Sequence, residues 1–199
     1  MAFPKPPSSK RQVNRAGARI ANLNETSDDL DCLDQWRAAH GYVLNTFQSM
    51  FRKRIQRMTT NDVLFVQRLK RRNTVVDKLR RTHDDDTRLI SDATSMQDYA
   101  GCRLIFNDNQ ALLEFREQFH QDLGKRSIDH HLKHDPNKFN YIENPKPSGY
   151  RGIHDILVHK PRPHRRDDRT NLAWHGLVAE IQYRTKVQNS WATALEMAD

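Results

Sequence analysis

The stretch Leu177–Arg184 constrains the fold of this chain more than any other, because its side chains alternate in character with period two. In an extended strand that spacing puts Leu177, Ala179, Ile181 and Tyr183 on one face and Val178, Glu180, Gln182 and Arg184 on the other. The first face suits a core. The second is a polar row with a carboxylate in it, which is either a solvent face or the wall of a site. Ile153–His159 is related, with His154 on the same face as Ile156 and Val158. The apolar run Cys102–Phe106 reads as a buried strand, and Val63–Gln67 and Ser127–Lys133 as two shorter ones.

Helical spacing fills the intervals. Ser27 followed by Asp28 and Asp29 is a helix start, since acids suit the positive helix end, and Leu30, Leu33, Trp36 and Ala39 or His40 recur behind it. Gly41 is expected to interrupt this helix, and Tyr42–Met58 to resume as a second one with Val43, Phe47, Met50 and Phe51 inward. Asn73–Arg81, Gln110–Leu123 and a last segment from Thr185 through Trp191 are further helices. Thr59–Asp62 reads as a turn, Glu143–Tyr150 as a Pro/Gly-punctuated loop and Lys160–Asn171 as a charged connection. The implied architecture is α+β, a mixed β-sheet flanked by helices. Residues 25–199 are read as one domain whose first part (25–60) is helical. Residues 1–24 are read as a basic arm, either flexible or tied down on that domain.

At 199 residues, 36% hydrophobic and 29% charged, the chain has enough apolar side chains for a core and too many for disorder. No apolar run approaches the ~20 residues of a membrane span, and the first residues lack the apolar stretch of a secretory leader. The only cysteines, Cys32 and Cys102, form no paired motif, which suits a reducing cytoplasm. The net charge of +8 favours polyanionic partners: nucleotides, nucleic acid or anionic lipid. Lys5, Lys10, Arg11, Arg15 and Arg19 lie in a segment with no acid, and the cluster from Arg52 to Arg72 is interrupted only by Asp62.

Asp98 stands just before the buried strand. A carboxylate at a strand start, with a second such as Glu180 on a neighbouring strand, is a usual way of holding Mg²⁺ beside a triphosphate; the plain alternative for Asp98 is a cap. Arg68 and Lys70 share one face of a strand and Lys78 follows on a helix, a set able to converge on phosphate oxygens. Tyr150, after Pro147–Ser148–Gly149 and near Lys146, suits stacking on a nucleobase; its plain alternative is a hairpin residue. A lone His154 is more often a structural group. His130, His131 and His134 lack an acidic partner and read as a strand edge.

In order along the chain stand Arg68-x-Lys70 with Lys78, Asp98-x-x-Gly101-x-Arg103, Asn144-Pro145-Lys146-Pro147-Ser148-Gly149-Tyr150 with His154, and Glu180-Ile181-Gln182-Tyr183-Arg184-Thr185 followed by Trp191. In this set the chain resembles the RelA/SpoT-type (p)ppGpp synthetase domain. The resemblance implies a fold of the polymerase-β nucleotidyltransferase kind, with ATP as diphosphate donor, AMP as leaving group and Mg²⁺ as cofactor. It implies that Arg68, Lys70 and Lys78 hold the donor's phosphates, with Arg68 able to stack on adenine. It implies that Asp98 binds Mg²⁺, and that Glu180 activates the acceptor 3′-hydroxyl while touching the metal. Tyr150 would stack on the acceptor base beside His154, with Lys146 on the acceptor's phosphates and Gln182 and Arg103 in support. Thr74 stands where the family often has Ser, and Met197 follows Glu196 where it commonly shows Glu-His. Residues 1–60 are too short for the hydrolase domain of bifunctional members.

Three functions fit. A small alarmone synthetase would take GDP or GTP and make (p)ppGpp. A toxin-type relative would modify the 3′-terminal adenosine of tRNA, docking it on the basic arm, and would be expected to have a neutralising antitoxin protein. A non-catalytic nucleotide- or RNA-binding module would be marked by loss of Asp98 or Glu180, and both are present.

Overall fold

A computed structural model describes residues 3–58, 63–83, 87–90, 92–125, 130–160 and 170–198. The turn expected at 59–62, residues 127–129 of the strand expected at 127–133, and residues 161–169 of the charged connection lie outside the described residues. In chain order the elements are α1 (Lys10–Ala21), α2 (Ser27–Ile55), β1 (Leu64–Leu69), α3 (Arg72–Arg80), β2 (Ala100–Phe106), α4 (Asn109–Asp122), β3 (His131–Leu132), β4 (Ile153–Val158), β5 (Val178–Thr185) and α5 (Lys186–Ala198). The strands form one sheet in the order β1-β2-β5-β4-β3. Only the central β2–β5 pair is parallel; β1, β4 and β3 join antiparallel. The expected mixed sheet flanked by helices is what the chain builds. Among the described residues no helix is long and apolar enough to cross a membrane.

The two helices expected from Ser27 to Met58 are one. α2 runs from a capping box, in which the Thr26 hydroxyl accepts from the Asp29 amide and the Asp29 carboxylate accepts from Thr26, straight through Gly41. An interior glycine costs about 1 kcal/mol. Leu33, Trp36 and Ala39 before it, and Val43, Phe47 and Phe51 after it, form one stripe in phase, and all are buried. Each large side chain on that stripe contributes about 1.5–3 kcal/mol by burial, so the stripe outweighs the glycine.

Residues 3–24 make contacts with the rest of the described chain. Ser9 caps α1, whose Val13, Ala16 and Ile20 are buried against α2 and α3. Arg19 pairs with the buried Asp29 and so joins the end of α1 to the start of α2. Upstream, the Pro4 carbonyl accepts from Trp174 Nε1 at 2.9 Å, and the Phe3 ring meets Tyr42 edge-on. Lys10, Arg11, Arg15 and Arg19 therefore belong to a helix surface, with Lys5 in the extended segment before it.

One face of the sheet is core: Ala100, Cys102, Leu104 and Phe106 of β2 and Ala179, Ile181 and Tyr183 of β5 are buried there. Asp155 of β4 is buried on the same side, held by Arg116 (2.7 Å) and His120 (2.6 Å) of α4. The opposite face carries the polar side chains, with α5 alongside it, where Asn189 Oδ1 accepts from Arg103 Nη1.

The two helical glycines should respond to alanine with opposite signs. A Cβ at Gly17 would lie 2.6 Å from Ala93 Cβ, whereas one at Gly41 would lie 3.7 Å from the Phe3 ring. Gly17→Ala is expected to lower unfolding free energy by about 1–3 kcal/mol through overpacking, and Gly41→Ala to raise it by about 0.5–1 kcal/mol. Urea unfolding of both variants checks this; equal shifts would contradict the packing described.

Candidate active site

Register builds the site. Arg68 of β1, Gly101 of β2, Glu180 of β5 and Ile156 of β4 are cross-strand partners in one row, and Val66, Arg103, Gln182 and His154 in the next. Both rows lie on the polar face, so residues far apart in sequence stand side by side. The glycine matters at its position: Arg68 is the nearest neighbour of a Cβ built at Gly101, so a longer side chain there would stand between Arg68 and Glu180.

Asp98 lies just before β2. Its Oδ2 accepts from Lys70 Nζ and from Lys78 Nζ, each at 2.9 Å, while its Oδ1 is buried with no hydrogen-bond partner among the described residues. Burial pushes this carboxyl up, but the two ammoniums outweigh it and hold it below the usual carboxylate range. Glu180 is bound differently. His154 Nδ1 lies 2.9 Å from its Oε1, and Gln182 Nε2 donates to its Oε2 at 2.9 Å. Burial again pushes upward and Asp98 adds repulsion, yet the His154 contact and the Gln182 amide leave Glu180 below its ordinary value. Both carboxylates are thus held ionised at neutral pH. Burial pushes the neighbouring Cys102 thiol up to about 12, which leaves no thiolate nucleophile there.

Two cavities meet at this carboxylate pair. One, of about 550 Å³, has Arg68, Gly101, Arg103 and Gln182 along its wall. The other, of about 890 Å³, has Lys78, Tyr141, Lys146 and His154. Asp98 and Glu180 line both. The unpaired Asp98 Oδ1 beside Glu180 suits Mg²⁺, which takes one or two carboxylates and completes its shell with water and phosphate oxygens. Among the described residues no group of three His, Cys, Asp or Glu could hold a metal by itself.

A family model described as the region found in RelA and SpoT proteins matches residues 67–198. The chain belongs to the RelA/SpoT family. Among solved structures, small alarmone synthetase 2 from Bacillus subtilis superposes with a TM-score of 0.61 at 21% identity, over 81% of this chain and 77% of that one. A GTP pyrophosphokinase family protein from Streptococcus pneumoniae gives 0.59 at 23%, over 87% and 77%. Small alarmone synthetase 1 from Bacillus subtilis, bound to its product pppGpp, gives 0.57 at 20%, over 81% and 74%. At such identities the likeness is one of fold. No curated protein matches this chain.

In this RelA/SpoT-family chain eight of the ten residues singled out from sequence line the two cavities, but not as grouped there, and Lys70 and Tyr150 line neither. Arg68, Lys70 and Lys78 are divided: Arg68 lines the smaller cavity, Lys78 the larger, and Lys70 is buried against Asp98. Tyr150 does not line either cavity with its hydroxyl free; that group lies 2.6 Å from His154 Nε2 and accepts from Arg184 Nε at 3.1 Å. Tyr141 was not expected. Its ring meets those of Tyr150 and His154 edge-on and carries the Lys146 ammonium 4.5 Å above it. The only signal was an aromatic nine residues before Tyr150, and no local pattern gave it weight. Arg184 was assigned to the polar row but given no part in the site.

Because Lys70 is buried against Asp98, Asp98→Asn should destabilise the fold as well as the chemistry. A loss of about 3 kcal/mol is expected from stranding a buried ammonium, with part of it recovered in Lys70→Met/Asp98→Asn. Urea unfolding of both proteins and of Lys70→Met measures it; strictly additive losses would sink the pairing.

Proposed function

We propose that this chain is a pyrophosphokinase that transfers the β,γ-diphosphate of ATP to the ribose 3′-hydroxyl of a guanine nucleotide, GDP or GTP, giving (p)ppGpp and AMP. The observation that carries the reading is the carboxylate pair shared by two adjoining cavities, one for each substrate. Membership of the RelA/SpoT family and the pppGpp-bound Bacillus subtilis synthetase support it. Its nucleotide substrates make the cytoplasm its place of action.

In this reading Arg68 and Arg103 receive the donor from the smaller cavity, Arg68 by stacking on adenine and both by their charge. Lys70 and Lys78 neutralise the phosphates through their positions at Asp98. Tyr141, Tyr150 and Lys146 form the acceptor side, the rings for the base and the ammonium for its phosphates. The 3′-oxygen bonds to the β-phosphorus as the bond from that phosphorus to the α,β-bridging oxygen breaks; AMP leaves with that oxygen. Glu180, ionised and oriented by His154 and Gln182, takes the hydroxyl proton. Mg²⁺ at Asp98 and Glu180 would supply neutralisation of the phosphate charge. Diphosphoryl transfer asks for alignment and charge balance rather than a covalent intermediate.

A cationic rim favours a second reading, the 3′ end of tRNA as acceptor with an antitoxin as partner. Lys133 is lowered by burial and by the charges of Lys10 on α1 and Lys138, so the three stand together. Lys138 also lies over the ring of Phe139, which lines the larger cavity.

ATP labelled in its β-phosphate, offered with Mg²⁺ to GDP, GTP and deacylated tRNA, separates the readings. Label on a guanine nucleotide is the expected result, label on tRNA alone replaces it with the second reading, and no transfer with ATP bound leaves a binding module. Glu180→Gln should keep ATP affinity and lower transfer by roughly 10²–10⁴-fold; unchanged turnover removes Glu180 as the base.

A further inference from the structure

We propose that Arg184 is a positioning residue that sets the hydrogen-bond direction of both side chains holding Glu180. The inference rests on the reading of Glu180 as the base. Arg184 follows Glu180 and Gln182 on the polar face of β5 and is 3% exposed. A guanidinium only donates, in a rigid fork. Its Nη2 donates to Gln182 Oε1 at 3.0 Å, and its Nε donates to the Tyr150 hydroxyl at 3.1 Å. The remaining nitrogen, Nη1, is buried with no hydrogen-bond partner among the described residues. Leaving a buried donor unpaired is unfavourable, which a residue kept only for packing would avoid.

Two chains start at this fork and end on one carboxylate. Because the Gln182 carbonyl oxygen receives Arg184, and Arg103 at 3.2 Å, its amide nitrogen must face Glu180 Oε2. Because the Tyr150 oxygen receives Arg184, its proton goes onward to His154 Nε2, 2.6 Å away. The proton of the imidazole then sits on Nδ1 and donates to Glu180 Oε1 at 2.9 Å. The opposite tautomer would set a nitrogen lone pair against the carboxylate. The guanidinium thus points two donors at Glu180 without touching it, which leaves the carboxylate an oriented acceptor.

Other charged groups face Glu180 and stay in place when Arg184 is changed. Asp98 with Lys70 and Lys78 stands before β2, and Arg68 and Arg103 lie across the sheet. Tyr141 and Lys146 face it from the loop side.

The test uses the full chain labelled with ¹⁵N-histidine, alone and as Arg184→Gln and Arg184→Lys. In the unmodified protein His154 is expected as the Nδ1–H tautomer; finding Nε2–H there overturns the inference without any variant. In both variants the tautomer is expected to average, since a lysine ammonium lacks the fork. With it, kcat should fall roughly 10- to 100-fold while KM for ATP holds. A tautomer that stays on Nδ1 in both variants overturns the inference. A tautomer that averages while kcat stays fixed upholds Arg184's role and overturns Glu180 as base.

Discussion

The parallel pairing of β2 with β5, in the register Gly101 opposite Glu180 and Arg103 opposite Gln182, is the constraint on which the rest of the site depends. Side chains alternate between faces, so a slip of one residue would put Glu180 into the core and Tyr183 into the cavities. The slip is prevented from the other side. Ala179, Ile181 and Tyr183 are fully buried against a helical layer, and moving three such residues to solvent would cost far more than any polar contact returns. The chemistry on one face is therefore held in place by packing on the other. β1 and β4 then add to this pair antiparallel, bringing Arg68 and His154 into the same two rows.

Two buried carboxylates so close repel each other, and the protein keeps both ionised by different means. Asp98 has two full positive charges on one oxygen and leaves the other unpaired. Glu180 has no direct cation among its hydrogen bonds; it has an imidazole and an amide, with the guanidiniums of Arg103 and Arg184 one bond further back. A direct ion pair fixes charge, whereas aligned dipoles fix charge and direction while leaving the oxygen able to accept a proton. Asp155, on the opposite face of the same sheet, shows the direct solution again, with Arg116 and His120 close around it. There the carboxylate ties α4 to β4.

The sequence alone determined what depends on near neighbours. The period-two pattern at Leu177–Arg184 assigned inward and outward faces, because alternation follows from strand geometry and needs no partner. The order of basic, acidic and loop motifs was enough to identify a family. Gly41 misled because a local propensity of about 1 kcal/mol was read without the long buried stripe that overrides it. Residues 1–24 were read as an arm, flexible or tied down, with no helix foreseen at 10–21, since that helix is decided by Val13, Ala16 and Ile20 finding α2 and α3. Only the tertiary structure could divide Arg68 from Lys78, bury Lys70 against Asp98, bring Tyr141 into the wall of the larger cavity and make Arg184 the root of two hydrogen-bond chains. Those outcomes depend on cross-strand register and on which of several possible donors reaches an acceptor first, and neither is a property of a residue and its neighbours in the chain.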